Sequence, residues 1–387
     1  MTSTPAPATR AAQNAREDGG EPASTWFAPG RVNLIGEHTD YNEGFVLPMA
    51  LPFGVGAAVR PREDGLLVAR SAQVEGVVEI DVTALRPGSV DGWGAYVAGV
   101  AWALREAGHD VLGSGGLDLY LDSDVPSGAG LSSSHALECA TGLALLGHAG
   151  VSLPPTELAQ VVRTAENDFV GAPTGIMDQM ASLHGVEGHV LFLDTRSLEV
   201  QPVPFDLAAD GLALLVVDTK APHALVSGEY AERRASCEQG ARTLGVPALR
   251  DVAATDLEDA MSRLDDDVVR RRVRHVVTED ARVLDVVELL RSGEDPREVG
   301  PPLSASHASM RDDFEITVPQ VDVAAEAAER AGAHGARMTG GGFGGCVIAL
   351  VDQTHVNAVT RAVETAYAER GFTAPRAFVV TASAGAR

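Results

Sequence analysis

The sequence predicts an α+β protein of two lobes with a cleft between them, and three observations carry the prediction. Strand-like and helix-like segments follow one another in mixed order, without the regular βαβ alternation of a doubly wound sheet. The 387 residues are 45% hydrophobic and 22% charged, apolar material enough for about two domains. No repeat of solenoid or propeller period is present.

Taken in order, the elements are as follows. Residues 1–22, up to about Pro22, are rich in Ala, Pro, Thr and charge and hold no apolar run of signal-peptide length, so they are expected to form a disordered leader. A short strand around Trp26–Ala28 leads into Gly30–Asn42, a polar loop with neither helical nor strand period, followed by the apolar segment Phe45–Leu51. Tyr96, Val97, Val100 and Leu104 fall at helical spacing, and Leu117, Leu119 and Leu121 alternate as in a half-buried strand that runs into a glycine-serine turn, Pro126–Ser134. Helices are expected over Ala136–Leu146, over Thr156–Phe169 after Pro154-Pro155, and from near Gly175. Strands Val190–Leu193 and Leu212–Val217 flank a lobe boundary near Val200–Gly211, dividing an N-terminal lobe (23–205) from a C-terminal lobe (206–387). Beyond it the patterns give helices around Tyr230–Leu244, Val273–Arg291 and Val321–Arg330. A glycine cluster, Gly340–Gly345, then feeds strand Val347–Val351, before helix Val356–Glu369 and strand Ala377–Thr381.

Charge narrows the function. Asp and Glu number 54 against 30 Lys and Arg, a formal net charge of -24, which disfavours nucleic acid and anionic membranes as partners. An anionic substrate then requires backbone amides, a helix N-terminus, a metal or placed arginines to reverse the field locally. The only lysine is Lys220, so no glycine-rich loop carries the lysine of a Walker A motif. Cys139, Cys237 and Cys346 are odd in number and widely spaced, which points to a reducing cytoplasm. No run of about 18 apolar residues suggests a membrane span.

Four clusters carry chemistry. Pro126-Ser-Gly-Ala-Gly-Leu-Ser-Ser-Ser134 follows a strand and opens a helix, which suits a phosphate held by backbone amides, or equally a turn in which glycine supplies positive φ and a serine caps the helix. Gly30-Arg-Val-Asn-Leu-Ile-Gly-Glu-His-Thr-Asp-Tyr41 mixes a guanidinium, an imidazole and two carboxylates, the set that a polyol and a phosphoryl group need; a solvated surface loop has the same composition. Glu166 and Asp178, on separate helices, could divide metal and proton handling, or Asp178 could merely favour a helix start. In Thr339-Gly-Gly-Gly-Phe-Gly-Gly345, five of the six residues from Gly340 to Gly345 lack a side chain, so a backbone can approach a ligand or another loop closely.

Together, and in this order along most of the chain, the clusters resemble the galactokinase branch of the superfamily that also holds homoserine, mevalonate and phosphomevalonate kinases. Gly30–Tyr41 looks like the sugar signature, Pro126–Ser134 like the ATP loop and Thr339–Gly345 like the third glycine motif. The resemblance implies a two-lobed fold with the site in the cleft, galactose and ATP as substrates, and Mg²⁺. It assigns Arg31 to transition-state stabilisation and Asp178 to the C1 hydroxyl of the sugar. Glu37, His38, Thr39, Asp40, Gly175 and Tyr230 fall to sugar binding. Gly128, Ala129, Gly130, Leu131, Ser132, Ser133 and Ser134, with Ser71, fall to ATP, and Ser134 and Glu166 to the metal. One departure stands out: the family has a small residue after the three serines, and here it is His135. A kinase for N-acetylgalactosamine or arabinose, and a non-catalytic galactose sensor, are the alternatives. The resemblance names no protein partner.

Overall fold

The computed structural model describes residues 5–112, 115–221 and 226–387. Its first difference from expectation lies at the N-terminus, where the supposed leader forms helix α1 (Pro7–Glu17). Ala11, Ala12 and Ala15 make a flat, small-residue face that is buried against Ala58 and Tyr120 of a sheet. Arg10 Nε donates to Asp122 at 3.0 Å, and the Tyr120 hydroxyl donates to Asp18 at 2.5 Å. The alanine and charge that suggested disorder are the docked and solvent faces of one amphipathic helix.

The chain then forms β1 (Ser24–Asn33), β2 (Phe45–Val46), β3 (Pro48–Arg62), β4 (Leu67–Ser71), β5 (Val77–Ile80), helix α2 (Gly94–Glu106) and β6 (Gly116–Ser123). Five of these strands form a sheet in the order β1-β3-β6-β4-β5, antiparallel throughout except that β4 and β6 run parallel. Strand alternation gives its two faces different jobs. Val55, Ala57, Val59, Leu117, Leu119 and Leu121 pack under α2, α3 (Ser133–Ala149), α4 (Pro155–Thr164) and α5 (Met177–His184), while Ala58 and Tyr120 meet α1 on the other side. Residues 30–33, expected in a loop, continue β1 past a register break between Pro29 and Arg31. Such a break re-aims the strand, which is how one side chain of a buried strand comes to face the cleft.

The rest of the chain contributes β7 (His189–Asp194), β8 (Glu199–Pro204), β9 (Leu212–Asp218), α6 (Val226–Leu244), α7 (Leu257–Ser262), α8 (Asp267–Ser292), α9 (Gly300–Ser309), α10 (Pro319–Arg330), β10 (Gly335–Thr339), β11 (Cys346–Asp352), α11 (Val356–Arg370) and β12 (Arg376–Val380). β2, β7 and β8 make a small sheet, and β10-β11-β9-β12 a fully antiparallel one. Leu34, Ile35, Leu47 and Leu51 share an apolar core with Leu214, Val216, Ile348 and Val286, so the two halves are joined by packing and not by a linker alone. Among the described residues no helix is long and apolar enough to cross a membrane.

A Cβ on Gly56 would stand 2.2 Å from the backbone of Pro7 and Ala8. Gly56→Val must therefore lift α1 off the sheet, at about 1–3 kcal/mol of overpacking. Hydrogen exchange should show the α1 amides protected in the wild type and fast in the variant; protection that survives the substitution would contradict the docking.

Candidate active site

Arg31 and Asp178 form the centre of the cleft. The guanidinium, on the re-aimed end of β1, donates from Nε to Asp178 Oδ1 at 2.7 Å and from Nη2 to Oδ2 at 2.6 Å, and its Nη1 reaches the Gly130 carbonyl at 2.8 Å. Asp178 sits in the first turn of α5 and also accepts from the Ser132 hydroxyl at 2.8 Å. Burial pushes its pKa up, but Arg31, His135 and Ser132 together outweigh that and hold it below the ordinary carboxylate range. It is a persistent carboxylate and a weak base.

Ser132 explains the glycine-serine turn. It occupies the N-cap of α3 in a left-handed conformation, φ 64°, and makes no side-chain bond to the helix. Its hydroxyl goes to Asp178 instead, so the start of α3 is left without the serine cap that a plain turn would have. Gly130 also has positive φ, 71°, and packs its Cα side toward Gly345, while a Cβ on Gly340 would stand 3.1 Å from the Gly130 carbonyl. Three of the four sequence clusters thus meet within a few ångströms of Gly130, because glycines at their contact points admit backbone against backbone.

A cavity of about 320 Å³ opens beside the ion pair, lined by Arg31, Glu37, His38, Asp40, His135, Gly175, Asp178, Tyr230 and Gly341 among others. A Cβ on Gly175 would fall 1.7 Å from Asp40 Oδ2, so only glycine leaves room for that carboxylate. Asp40 and Glu37 both have raised pKa values through burial first; Asp178 adds to the rise at Asp40, while Arg337 and the Gly340 amide oppose it at Glu37. His38, in a left-handed backbone conformation, stays neutral: burial, then His275, lowers its pKa to about 3. Its Nδ1 lies 2.8 Å from the Tyr41 hydroxyl and its Nε2 3.1 Å from the Gly341 carbonyl. Tyr230 packs against it with ring centroids 5.0 Å apart.

Thr39 is the sugar-signature residue that stands apart. It is fully buried, and its hydroxyl is spent on the carbonyls of Gly36 at 2.9 Å and Phe45 at 2.6 Å, where it closes the turn that presents His38 and Asp40. Ala129 and Leu131 likewise bury their side chains in the shared core, so only their backbone faces the turn.

Glu166 lies in a π-helical turn, Ala165–Val170, that continues α4 where an ordinary helix was expected. Its Oε2 accepts from Thr174 Oγ1 at 2.8 Å and Gln179 Nε2 at 3.2 Å. His135 bridges the two carboxylates: Nε2 is 2.7 Å from Glu166 and Nδ1 3.2 Å from Asp178. Burial lowers its pKa, but Glu166 and Asp178 prevail and the net shift is upward. The departure noted in the sequence therefore lies inside the carboxylate cluster and does not point away from it.

Ser71, Ser133 and Ser134 line a second cavity of about 330 Å³, with Gln73, Trp93 and Tyr96. Sequence reasoning passed over Trp93 and Tyr96, whose spacing at the start of α2 reads as core packing. It also passed over Arg337, Glu279 and His275; the last two lie in α8, where many other charged residues give them no local distinction.

Comparison with known proteins gives a consistent family. Residues 16–61 match the galactokinase galactose-binding signature, 95–186 the N-terminal domain of GHMP kinases and 286–369 their C-terminal domain. The chain is 56% identical over 371 residues to a galactokinase of Streptomyces coelicolor, covering 95% of each protein. It is 47% identical over 362 residues to one of Mycobacterium tuberculosis, covering 94% of this chain and 98% of that one. The crystal structure of Lactococcus lactis galactokinase complexed with galactose superposes with a TM-score of 0.92 at 32% identity, over 98% of this chain and 99% of that one. Methanococcus jannaschii mevalonate kinase shares the fold at a TM-score of 0.68 and 15% identity, over 94% and 99% of the two chains.

Removing one partner of a buried pair leaves the other charge uncompensated, at about 3–5 kcal/mol. Asp178→Ala should lower the unfolding free energy by about that much at pH 7. Because the folded-state pKa of Asp178 is depressed, its stabilisation is complete above about pH 4 and fades as pH falls through the folded value. Urea titrations should show the gap between variant and wild type narrowing on acidification; a gap that widens in acid would contradict the ion pair.

Proposed function

The chain belongs to the galactokinase family, and from that membership we propose that its cleft transfers the γ-phosphoryl group of MgATP to the C1 hydroxyl of α-D-galactose, giving galactose 1-phosphate and ADP. The observation that carries this reading is the convergence of Arg31, Asp178, Glu37, His38, Asp40, Gly175 and Tyr230 on one cavity. A neutral polyol suits such a set. Carboxylates accept from its hydroxyls, and a site built this way penalises any sugar that leaves a buried polar group unpaired.

In this reading the sugar's C1 hydroxyl faces Asp178, and Arg31 neutralises charge that grows on the transferring phosphoryl group. The backbone of Gly128–Ser134 and the start of α3 hold the phosphates, which the empty serine cap supports. The nucleotide extends toward Ser71, Trp93 and Tyr96 in the second cavity. Magnesium arrives with ATP. Ser134 and Glu166 offer it a hydroxyl and a carboxylate, hard oxygen donors that suit Mg²⁺ when phosphate oxygens and waters complete the shell. Among the described residues no group of three or more His, Cys, Asp or Glu forms a metal cage.

A weak base is adequate for this chemistry. The phosphoryl transition state is loose, so the attacking hydroxyl turns acidic only after most of the bond to ADP has broken. Arg31 can therefore hold Asp178 ionised without defeating proton acceptance, and what the site supplies is mainly position and charge. Lobe limits of 23–205 and 206–387 belong to the same reading. Cytoplasmic residence is supported by three buried cysteines that are all free.

The test is a panel of free sugars incubated with MgATP, with the phosphorylated products identified. Galactose should give galactose 1-phosphate, and glucose, its C4 epimer, should react with a kcat/KM at least about a hundredfold lower. Equal rates on both sugars would refute the galactose assignment, and no product from any sugar would refute the kinase.

A further inference from the structure

We infer that Arg337 is a positioning residue for the sugar, reaching from β10 to fix Glu37 in place and to hold it in the charged form that accepts a hydroxyl. The inference rests on reading Glu37 as a sugar-binding group.

Arg337 is completely buried, the largest such side chain among the described residues. It does not line the sugar cavity; Glu37 does. Its guanidinium spans two tasks. Nη1 donates to the carbonyls of Asn33 at 3.2 Å and Leu34 at 2.9 Å, pinning the backbone where β1 ends within the sugar signature. Nη2 lies 3.3 Å from Glu37 Oε2 and 3.8 Å from Glu279 Oε1. A planar fork can do both at once, and an ammonium cannot.

The charges around Glu37 decide which carboxylate Arg337 serves. Glu279 has its own cation, Arg282, at 2.8 Å on Oε2, while its Oε1 accepts from Ser306 at 2.6 Å and the Gly36 amide at 3.0 Å. Glu37 accepts from the Gly340 amide at 2.5 Å and from the Asn33 side chain, and neither of these is charged. His275, which touches the Glu37 carbonyl at 3.1 Å, has a pKa lowered to about 4 and is neutral. Arg31 also faces Glu37 electrostatically, but its Nε and Nη2 are committed to Asp178 and its Nη1 to the Gly130 carbonyl. Arg337 is left as the principal counter-charge. Burial drives the Glu37 pKa up, Glu279 adds to the rise, and Arg337 is the largest opposing influence. A protonated Glu37 would turn one acceptor position into a donor and lose its charge-assisted bonds to the sugar.

The test compares galactose and MgATP affinities by calorimetry, across pH, in wild type, Arg337→Met, Arg337→Lys, Glu37→Gln and the double variant Glu37→Gln with Arg337→Met. Arg337→Met should weaken galactose binding at least about tenfold while MgATP affinity stays within about threefold, a split that general misfolding would not produce. Its galactose affinity should also begin to fall at a higher pH on acidification than in wild type, since Glu37 then protonates earlier. Arg337→Lys restores charge without the fork, so it should return that acid limb to its wild-type position yet leave galactose bound several-fold more weakly. If Arg337→Met does not fold, Arg337→Lys decides alone: wild-type galactose affinity in it overturns the inference. In the double variant the Arg337 change should add little to Glu37→Gln. Unchanged galactose affinity in Glu37→Gln would overturn the reading of Glu37 itself. Weakened binding in Glu37→Gln together with a wild-type acid limb in Arg337→Met would overturn the positioning role alone.

Discussion

The buried pair of Arg31 and Asp178 is the constraint around which the cleft is organised. Its two members come from elements far apart in the chain, the end of β1 and the first turn of α5, and two parallel bonds at 2.7 and 2.6 Å fix their mutual orientation. Removing either charge from water is costly, and geometry this close, with Ser132 donating to the carboxylate and the Gly130 carbonyl accepting a further guanidinium N–H, is what makes such a pair tolerable. Those same auxiliary bonds tie the glycine-serine turn to the pair. The glycine-serine turn and the Asp178 carboxylate are therefore tied together directly.

A second consequence concerns charge balance in a chain of formal net charge -24. One cavity gathers Glu37, Asp40 and Asp178 in its lining, with Glu166 joined to it through His135. Such a cluster would neutralise itself by protonation unless cations were placed within it. Arg31 and Arg337 are those cations, with the His135 imidazole between two carboxylates beside them, and each contacts more than one acceptor. Arginine does this where lysine cannot, because a fork serves a carboxylate and a carbonyl together. It is consistent that this chain, with its single lysine, assigns every such task to arginine or histidine.

Much of this was legible in the sequence, for identifiable reasons. Long elements with clear periods, such as α2, α8 and α11, were readable because one face is apolar. Arg31, Glu37, His38 and Asp40 stood out because a run of polar residues with neither period sits between apolar segments. The same criterion misplaced residues 30–33, where Arg31 lines the cavity while its neighbours Val32 and Asn33 are buried, all within β1. α1 was hidden because alanine gives little hydrophobic contrast, and its docking depends on Gly56 and Tyr120 far along the chain. β10 was hidden because Gly335–Thr339 has no alternation, all five residues being buried. Roles that depend on three-dimensional proximity, such as the His135 bridge, have no local signal. Thr39 shows the converse: membership of a signature does not say whether a side chain faces the ligand or braces the turn that presents it.

Coupling between Arg31 and Asp178 is the central claim, and the dependence of kcat on pH in wild type and Arg31→Ala addresses it most directly. Arg31 lowers the Asp178 pKa, so a carboxylate freed of its cation must protonate at higher pH, and in the proposed mechanism activity requires the ionised form. The residual activity of Arg31→Ala should therefore decline on acidification at a higher pH than in wild type. An acid limb that stays where it is in the wild type, at whatever residual rate, would show that the guanidinium does not govern the carboxylate's ionisation and would contradict the organisation of the site described above.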